Sequence, residues 1–146
     1  MSSGELAQAG IAATALQPCP CGRLDARRKP LSLARCCGPF LGDVEGTPAP
    51  DAQALMRSRY TAHVLQDEPY LLATWHPDTR PGSAGLEPGT KWLGLEVRAH
   101  RVMDATHAQV EFVARYRIAG RGARLHETSR FVRESGRWYY LDGDMQ

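Results

Sequence analysis

Four cysteines gathered within nineteen residues are the strongest chemical signal in this chain of 146 residues. They form two close pairs, Cys19 with Cys21 in a Cys-Pro-Cys-Gly run and Cys36 with Cys37 in a Cys-Cys-Gly-Pro run. No cysteine follows Cys37, so the thiols serve one local purpose. Two close pairs joined by a loop can supply four sulfur ligands to one tetrahedral ion, as a structural zinc site requires. We therefore predict that the four thiolates bind zinc.

Three other uses of the thiols compete with zinc. Disulfides could pair in three ways, one of which would strain a bridge between the adjacent Cys36 and Cys37, and a reducing cytosol disfavours all of them. An iron–sulfur cluster accepts thiolates, but this spacing does not match the common ferredoxin runs. Free thiols would forgo the folding free energy, on the order of 10 kcal/mol, that a bound ion contributes to a small module. Zinc is the favoured interpretation.

The residues around the cysteines favour a compact metal knuckle over residues 18–46. Pro20 fixes the backbone and Gly22 permits the tight reversal by which both sulfurs of the first pair face inward. The loop between the pairs is basic, with one acid against five cations: Arg23, Arg27, Arg28, Lys29 and Arg35. These cations can offset the net charge of four thiolates on a dication, or they can contact an acidic protein partner. RNA is a less favoured partner because the loop holds no aromatic residue to stack on bases.

Six side chains beyond the knuckle are candidates for a ligand pocket: Arg57, Tyr60, Trp75, His76, Trp92 and Asp142. His76 and Asp142 are the two catalytic candidates, because an imidazole or a carboxylate can act as a general base. Each has a simpler structural interpretation, since His76 can cap the end of its helix and Asp142 with Gly143 can form a turn. The aromatic residues can equally belong to the core.

Arg57 and Arg59 lie two residues apart on a predicted helix and should therefore point to different faces. We expect one of them to meet an acid inside the domain, such as Glu127 or Asp142, and the other to face solvent. A pair of this kind is more often architecture than catalysis.

The order of predicted elements indicates an α+β fold. Asp51 or Thr47 can cap a first helix that runs to Gln66, and a second helix starts at residues 67–69 and ends at 76–77. Apolar residues then alternate in strands over 93–99, 108–118 and 125–134, with a last strand over 137–142. Turns are predicted at 120–122 and 135–136. An antiparallel meander that follows two helices should curl over them and enclose a pocket.

Composition sets the class and the cellular setting. The net charge is only +2, which argues against a polyelectrolyte binder, and no apolar run approaches the about 20 residues of a membrane span. Residues 1–17 are predicted to be a flexible tail, because a basic start typical of a secretory signal is missing. A cytoplasmic location follows, and with it reduced thiols.

Two groups of residues resemble known families. The runs CPCG (19–22 with Pro18 before them) and CCGP (36–39) resemble the SEC-C zinc motif, named for its place at the end of the SecA translocation ATPase. LMRSRY (55–60), TWHP (74–77), WLGL (92–95) and RWYYLDG (137–143) follow in the order typical of the YchJ family of uncharacterised bacterial proteins. The resemblance implies a zinc knuckle leading into a nuclear transport factor 2-like (cystatin-like) domain over residues 47–146, a curved antiparallel sheet over helices.

The sequence thus predicts a cytoplasmic, zinc-stabilised adaptor or binding protein. The SEC-C resemblance implies a partner in translation or protein export, and the α+β domain is expected to hold a small-molecule ligand. The alternative is a hydrolase or isomerase that uses His76 or Asp142, with Arg57 orienting an anionic substrate. The chain contains no phosphate loop, dinucleotide fingerprint or nucleophile elbow.

Overall fold

A computed structural model describes residues 15–146 as a cysteine-bearing segment, a helix pair and a four-stranded antiparallel sheet. A short 3-10 turn, Leu33–Arg35, comes first. The elements that follow are α1 (Gly38–Gly42), α2 (Ala52–Leu65), α3 (Glu68–Ala73), β1 (Lys91–Val102), β2 (His107–Ile118), β3 (Arg121–Glu134) and β4 (Arg137–Met145). The predicted α+β order, with helices before an antiparallel meander, is confirmed.

The predicted tail 1–17 is described only at its end. Residues 1–14 lie outside the described residues. The backbone oxygen of Gln17 accepts a hydrogen bond from the Leu33 amide at 2.9 Å, which joins this end to the knuckle. Within residues 15–146, no helix is long and apolar enough to cross a membrane.

Helix α2 begins where the sequence predicts. The Asp51 carboxylate accepts a hydrogen bond from the Ala54 amide at 2.7 Å, which fills one of the unpaired donors of the first turn. The helix ends at Gln66, whose φ of 58° is left-handed and stops the helical path. Asp51, and not Thr47, is therefore the cap.

Helix α3 is shorter than predicted. It ends at Ala73, and the following backbone leaves the helix to pair with β4 in parallel, with Trp75 opposite Tyr140. The amide of His76 donates to the Tyr140 oxygen, and the Tyr140 amide donates to the Thr74 oxygen, both at 2.8 Å. The prediction that Trp75 lies on the helix is wrong, because pairing with the sheet edge satisfies these backbone groups instead.

The sheet has the strand order β1-β2-β3-β4, and all neighbours are antiparallel. The turn between β2 and β3 is at Ala119 and Gly120, with φ of 51° and 77°, one residue before the predicted Gly-Arg-Gly turn. A two-residue hairpin needs positive φ at both positions, and alanine rarely adopts it, which explains the error. The turn at Ser135 and Gly136 is confirmed.

The sheet bends around α2. Register shifts interrupt β1 twice and β4 once, and such bulges bend a strand and increase its twist. The concave face carries the predicted alternating residues of β2, with Val110 and Phe112 buried against Leu55 of α2 in one apolar cluster. Val113, predicted on the polar face, is also fully buried between its cross-strand neighbours on β1 and β3.

The knuckle and the sheet domain share one apolar cluster. Cys19, Cys21, Leu33 and Cys37 belong to the same group of buried residues as Leu55. The knuckle is therefore packed onto α2, and its cysteines form part of the main core.

Candidate metal centre and ligand cavity

The first cysteine pair sits on a small hairpin. Isolated bridges pair Pro18 with Ser32 and Leu24 with Pro30, and the Cys19 amide donates to the Leu31 oxygen at 2.8 Å. Gly22 has a φ of 74°, and its amide donates to the Cys19 oxygen at 3.1 Å. This turn places both sulfurs of the Cys-Pro-Cys run on the inner side, as its glycine predicts.

The second pair lies between the 3-10 turn and α1. The Cys36 amide donates to the Leu33 oxygen at 3.1 Å, and the Cys37 oxygen accepts from the first turn of α1. A Cβ on Gly38 would lie 2.6 Å from the Leu33 oxygen, so only glycine fits after the two cysteines. Pro39 then occupies the first turn of α1, where its missing amide hydrogen costs nothing.

The four sulfurs converge on one point. All lie within 4.8 Å of one another, with Cys21 and Cys36 at 3.5 Å and Cys36 and Cys37 at 3.9 Å, and none forms a disulfide. Zinc–sulfur bonds of about 2.3 Å in a tetrahedron place sulfurs about 3.8 Å apart. Three of the cysteines are buried and Cys36 is half-buried. The cluster therefore has the ligand type, number and spacing of a closed metal site.

The thiols perturb one another strongly. Hydrogen bonds from Cys21 and the other sulfurs hold the pKa of the Cys19 thiol well below its usual range, whereas hydrogen bonding to Cys19 raises the pKa of Cys37 well above it. The pKa of Cys21 falls to about 7. Four thiolates cannot all carry charge at this distance by themselves, and a dication would remove the conflict.

Three arginines surround the cluster. Arg23, Arg35 and Arg57 line a groove of about 230 Å³ beside Cys36 and Cys37. None of the three forms an ion pair with a described acid. At the far end of the hairpin, the amides of Arg27 and Lys29 donate to the Asp25 carboxylate, so this acid organises the loop backbone.

A separate cavity of about 180 Å³ lies between α2 and the concave face of the sheet. Six aromatic residues contribute to its walls: Tyr60, Trp75, Trp92, Phe112, Phe131 and Tyr140. Tyr60 and Tyr116 both pack against Trp92, at ring distances of 5.7 and 5.4 Å, and Trp75 contacts Tyr140 edge-to-face at 5.0 Å. The aromatic residues of the sequence prediction, Tyr60, Trp75 and Trp92, thus lie together.

The other three predicted pocket residues lie elsewhere. Arg57 donates to the Cys21 oxygen at 3.0 Å and lies beside the cysteine cluster. The His76 ring accepts from the Asp78 amide and bonds Glu134 at 2.9 Å, beside the edge strand β4. Asp142 lies on the outer face of the sheet and pairs with Arg130 there, because the bulge in β4 sets its side chain away from α2. Neither catalytic candidate reaches the cavity.

Besides the hydroxyls and indole nitrogens of its aromatic residues, the cavity has four polar side chains: Arg59, His63, Glu127 and Ser129. Arg59 is the buried arginine of the predicted pair, but it bonds Leu71 and Thr74 and forms no ion pair with an acid among the described residues. Glu127 was expected only as its partner. Its position on the buried face of β3 could have been predicted from the sequence, because Glu127 lies at even spacing from the apolar residues at 125 and 131.

Comparisons with known proteins agree with this architecture. The family model described as the YchJ middle NTF2-like domain matches residues 51–143, so the sheet and its helices form a nuclear transport factor 2-like domain. A SEC-C motif containing protein from Psychrobacter arcticus has a similar structure, with a TM-score of 0.77 and 32% identity over 92% of this chain and 85% of that one. RPA3114, a SEC-C motif containing protein from Rhodopseudomonas palustris, gives a TM-score of 0.71 and 32% identity over 88% and 98%.

Sequence relatives specify the family. A UPF0225 protein of a Polaromonas species is 65% identical over 127 residues, which are 86% of this chain and 91% of that protein. A UPF0225 protein of Bordetella pertussis is 55% identical over 131 residues, or 88% of this chain and 92% of that protein. The chain belongs to the YchJ family, as its motifs predict.

Proposed function

We propose that this protein is a cytoplasmic, zinc-stabilised adaptor whose knuckle binds an acidic segment of a protein in translation or protein export. The observation that carries the proposal is the cluster of four cysteine sulfurs within 4.8 Å, surrounded by arginines without acidic partners among residues 15–146. Protein thiolates would fill all four positions of a tetrahedral zinc, which leaves no position for a substrate. Such a site stabilises a surface and does no chemistry itself.

The charge around the cluster supports a partner of opposite sign. Zinc with four thiolates carries a net charge of −2, and Arg23, Arg35 and Arg57 contribute three positive charges beside it. The arginines Arg27 and Arg28 extend the positive surface to the hairpin end. Arginine forms paired hydrogen bonds with carboxylates, so an acidic peptide segment suits this groove. The partner class rests on the SEC-C motif of the two similar structures.

Native mass spectrometry of untagged protein, purified without chelators, tests the metal. We expect one zinc per chain. After chelation the zinc should be lost, and the remaining mass should match a chain with four reduced cysteines and no disulfide. Iron, or two disulfides in place of a metal, would contradict the zinc assignment. The partner is tested by cross-linking in cells followed by identification of the captured proteins.

Charge-reversal variants make the partner test specific. We expect Arg23→Glu with Arg35→Glu to lose the captured partner while keeping the metal. Arg117→Glu, an exposed arginine of β2, is the matched control and should retain the partner. Equal capture by all three proteins would exclude the groove as the binding surface.

The enzyme alternative has less support from the geometry. His76 and Asp142 lie outside the cavity, on different parts of the sheet edge and outer face, and each is held by a neighbouring charged side chain. Arg57 is hydrogen-bonded to the knuckle and is not among the residues that line the cavity, so it cannot orient a substrate there. A substrate screen in which His76→Ala lost a turnover that wild type shows would restore this alternative.

A further inference from the structure

We infer that the cavity between α2 and the sheet binds a small organic acid, about the size of a single ring, that also carries a hydrogen-bond donor. Arg59 receives the acid group, and Glu127 accepts from the donor. This site is separate from the cysteine cluster, and the inference does not depend on the adaptor function.

Arg59 supplies a buried positive charge with unused donors. The residue is only 8% exposed, and its Nη1 donates to the Leu71 oxygen at 2.7 Å and to the Thr74 hydroxyl at 2.6 Å. Its Nε and Nη2 have no partner among the described residues. Rings of Trp75 and Tyr140 lie 5.2 and 4.7 Å from the guanidinium carbon and fix its plane. Burial lowers the Arg59 pKa to about 10, so the group stays charged at neutral pH.

A buried guanidinium of this kind favours an anionic ligand. Removal of a charge from water is costly unless hydrogen bonds and an opposite charge compensate it. The backbone and hydroxyl oxygens that bind Arg59 are neutral and engage only one of its three nitrogens. A carboxylate in the cavity would add the missing charge and use the remaining donors in the paired geometry that guanidinium prefers.

Glu127 places an acceptor in the same cavity. Its Oε2 accepts from the hydroxyls of Ser129 and Tyr140, the latter at 3.4 Å, whereas Oε1 has no partner among residues 15–146. Burial raises the pKa of Tyr140 to about 12, so the phenol keeps the proton that it donates. Gly143 on β4 makes room for this arrangement, because a Cβ there would lie 2.6 Å from the carboxyl carbon of Glu127.

The two charges do not neutralise each other directly. No ion pair joins Arg59 to Glu127 within the described chain, although Tyr140 contacts both, through its ring and its hydroxyl. A structural ion pair would bring the charged atoms into contact. The separation leaves space that a ligand with an acceptor at one end and a donor at the other can bridge.

The volume and the walls limit the rest of the ligand. A cavity of about 150 Å³ with apolar walls is large enough to bind benzene, and this one measures about 180 Å³. Aromatic rings line it, which favours stacking on a flat apolar body. Aminobenzoates and hydroxybenzoates have this combination of size, charge and donor, and they are the probes for the test.

Titration calorimetry of the full-length protein with four probes tests the inference: 4-aminobenzoate, 3-aminobenzoate, benzoate and benzamide. We expect at least one aminobenzoate to bind, and benzamide to bind roughly tenfold or more weakly, because it lacks the charge that Arg59 recognises. Benzoate should lie between them. These ligands report on Arg59 without altering a residue that helps to hold α3.

Two matched variants then report on the acceptor. Glu127→Gln should reduce the preference for the aminobenzoate over benzoate, whereas Asp142→Asn, the same change on the outer face of the sheet, should leave it unchanged. Circular dichroism confirms that each variant is folded. Absence of binding by all four probes to wild type would overturn the inference. Equal affinity for benzoate and benzamide, or equal preference in wild type and Glu127→Gln, would also overturn it.

Discussion

The cysteine cluster and the cavity differ in how their parts are distributed along the chain. The four ligands of the cluster lie between residues 19 and 37, whereas Arg59 and Glu127 come from a helix and a strand far apart in sequence. The cluster can be recognised from spacing alone, because short loops determine which sulfurs meet. The cavity depends on strand register and on bulges, which only the folded sheet specifies.

The two regions also differ in what should stabilise them. The knuckle has little regular structure, and its hairpin is held by a few backbone hydrogen bonds and by cysteines that pack on α2. The sheet domain has long paired strands and a large apolar cluster. We expect the knuckle to need its ion and the sheet domain to fold largely on apolar burial, and the following predictions test that difference.

The largest effect is expected from loss of a metal ligand. Cys37→Ser places a weak ligand at a position only 1% exposed, and a structural zinc contributes on the order of 10 kcal/mol of binding free energy. We expect loss of the metal and rapid amide hydrogen exchange over 18–46, while β2 and β3 stay protected. Equal loss of protection in the sheet would show that the two regions unfold as one unit.

A core substitution in the sheet should produce the opposite pattern. Phe131 is 2% exposed and packs on Tyr140 at a ring distance of 5.9 Å. Phe131→Ala should reduce the free energy of unfolding by about 3–5 kcal/mol, through lost burial and the space left behind. Chemical denaturation measures the change, and native mass spectrometry should find the metal content unaltered. Loss of zinc in this variant would contradict the proposed independence.

The half-buried imidazole of His63 should make the cavity region sensitive to acid. Burial, with a smaller contribution from the Arg59 charge, lowers the His63 pKa to about 4. Between this value and the ordinary pKa of about 6.5, the unfolded chain binds a proton that the folded protein does not. Stability contributed by neutral His63 is therefore complete above about pH 6.5 and is lost as the pH falls toward 4, by no more than about 3 kcal/mol.

His63→Gln isolates this contribution from acid loss of the metal. Denaturation measures the free energy of unfolding of wild type and variant between pH 4 and pH 7. The two values should converge as the pH falls, because only wild type loses the His63 contribution. The metal-dependent loss is common to both proteins and cancels in the difference. A constant difference between wild type and His63→Gln across this pH range would show that the imidazole has the same pKa in the folded and unfolded states, which would contradict the prediction.

The success of the sequence prediction follows the same division. Asp51, the β2 alternation and the Ser135–Gly136 turn were predictable because neighbouring residues determine each of them. Two elements were placed incorrectly. Trp75 leaves the helix because it pairs with a distant strand, and the hairpin turn at Ala119 requires a φ that is unfavourable for alanine. No local pattern carries that information.

The pocket residues show the same limit. Tyr60 and Trp92 were predicted as pocket residues from their type, but Asp142 was assigned to the inner face although a register shift in β4 places it outside. Glu127 was recognisable by its phase in β3, yet an acid among apolar residues is more simply interpreted as an ion-pair partner. Only Asp142 lies on an unexpected face, because Glu127 is inside the domain as expected but without the arginine partner that was predicted for it.

The smallest effect is expected at the contact that joins the two regions. Arg57 lies on α2, and its Nη1 donates to the Cys21 oxygen at 3.0 Å while its Nε donates to Gln53. Arg57→Met keeps the apolar stem and removes a charged hydrogen bond, which should cost about 1–2 kcal/mol. Arg117→Met, on an exposed part of β2, is the matched control and should cost almost nothing. We expect the metal to remain bound and amide exchange to accelerate near Cys21 alone. If exchange instead accelerates through α2 and the sheet, the hydrogen bond transmits the stability of the knuckle to the domain, and the two regions are less independent than their construction suggests.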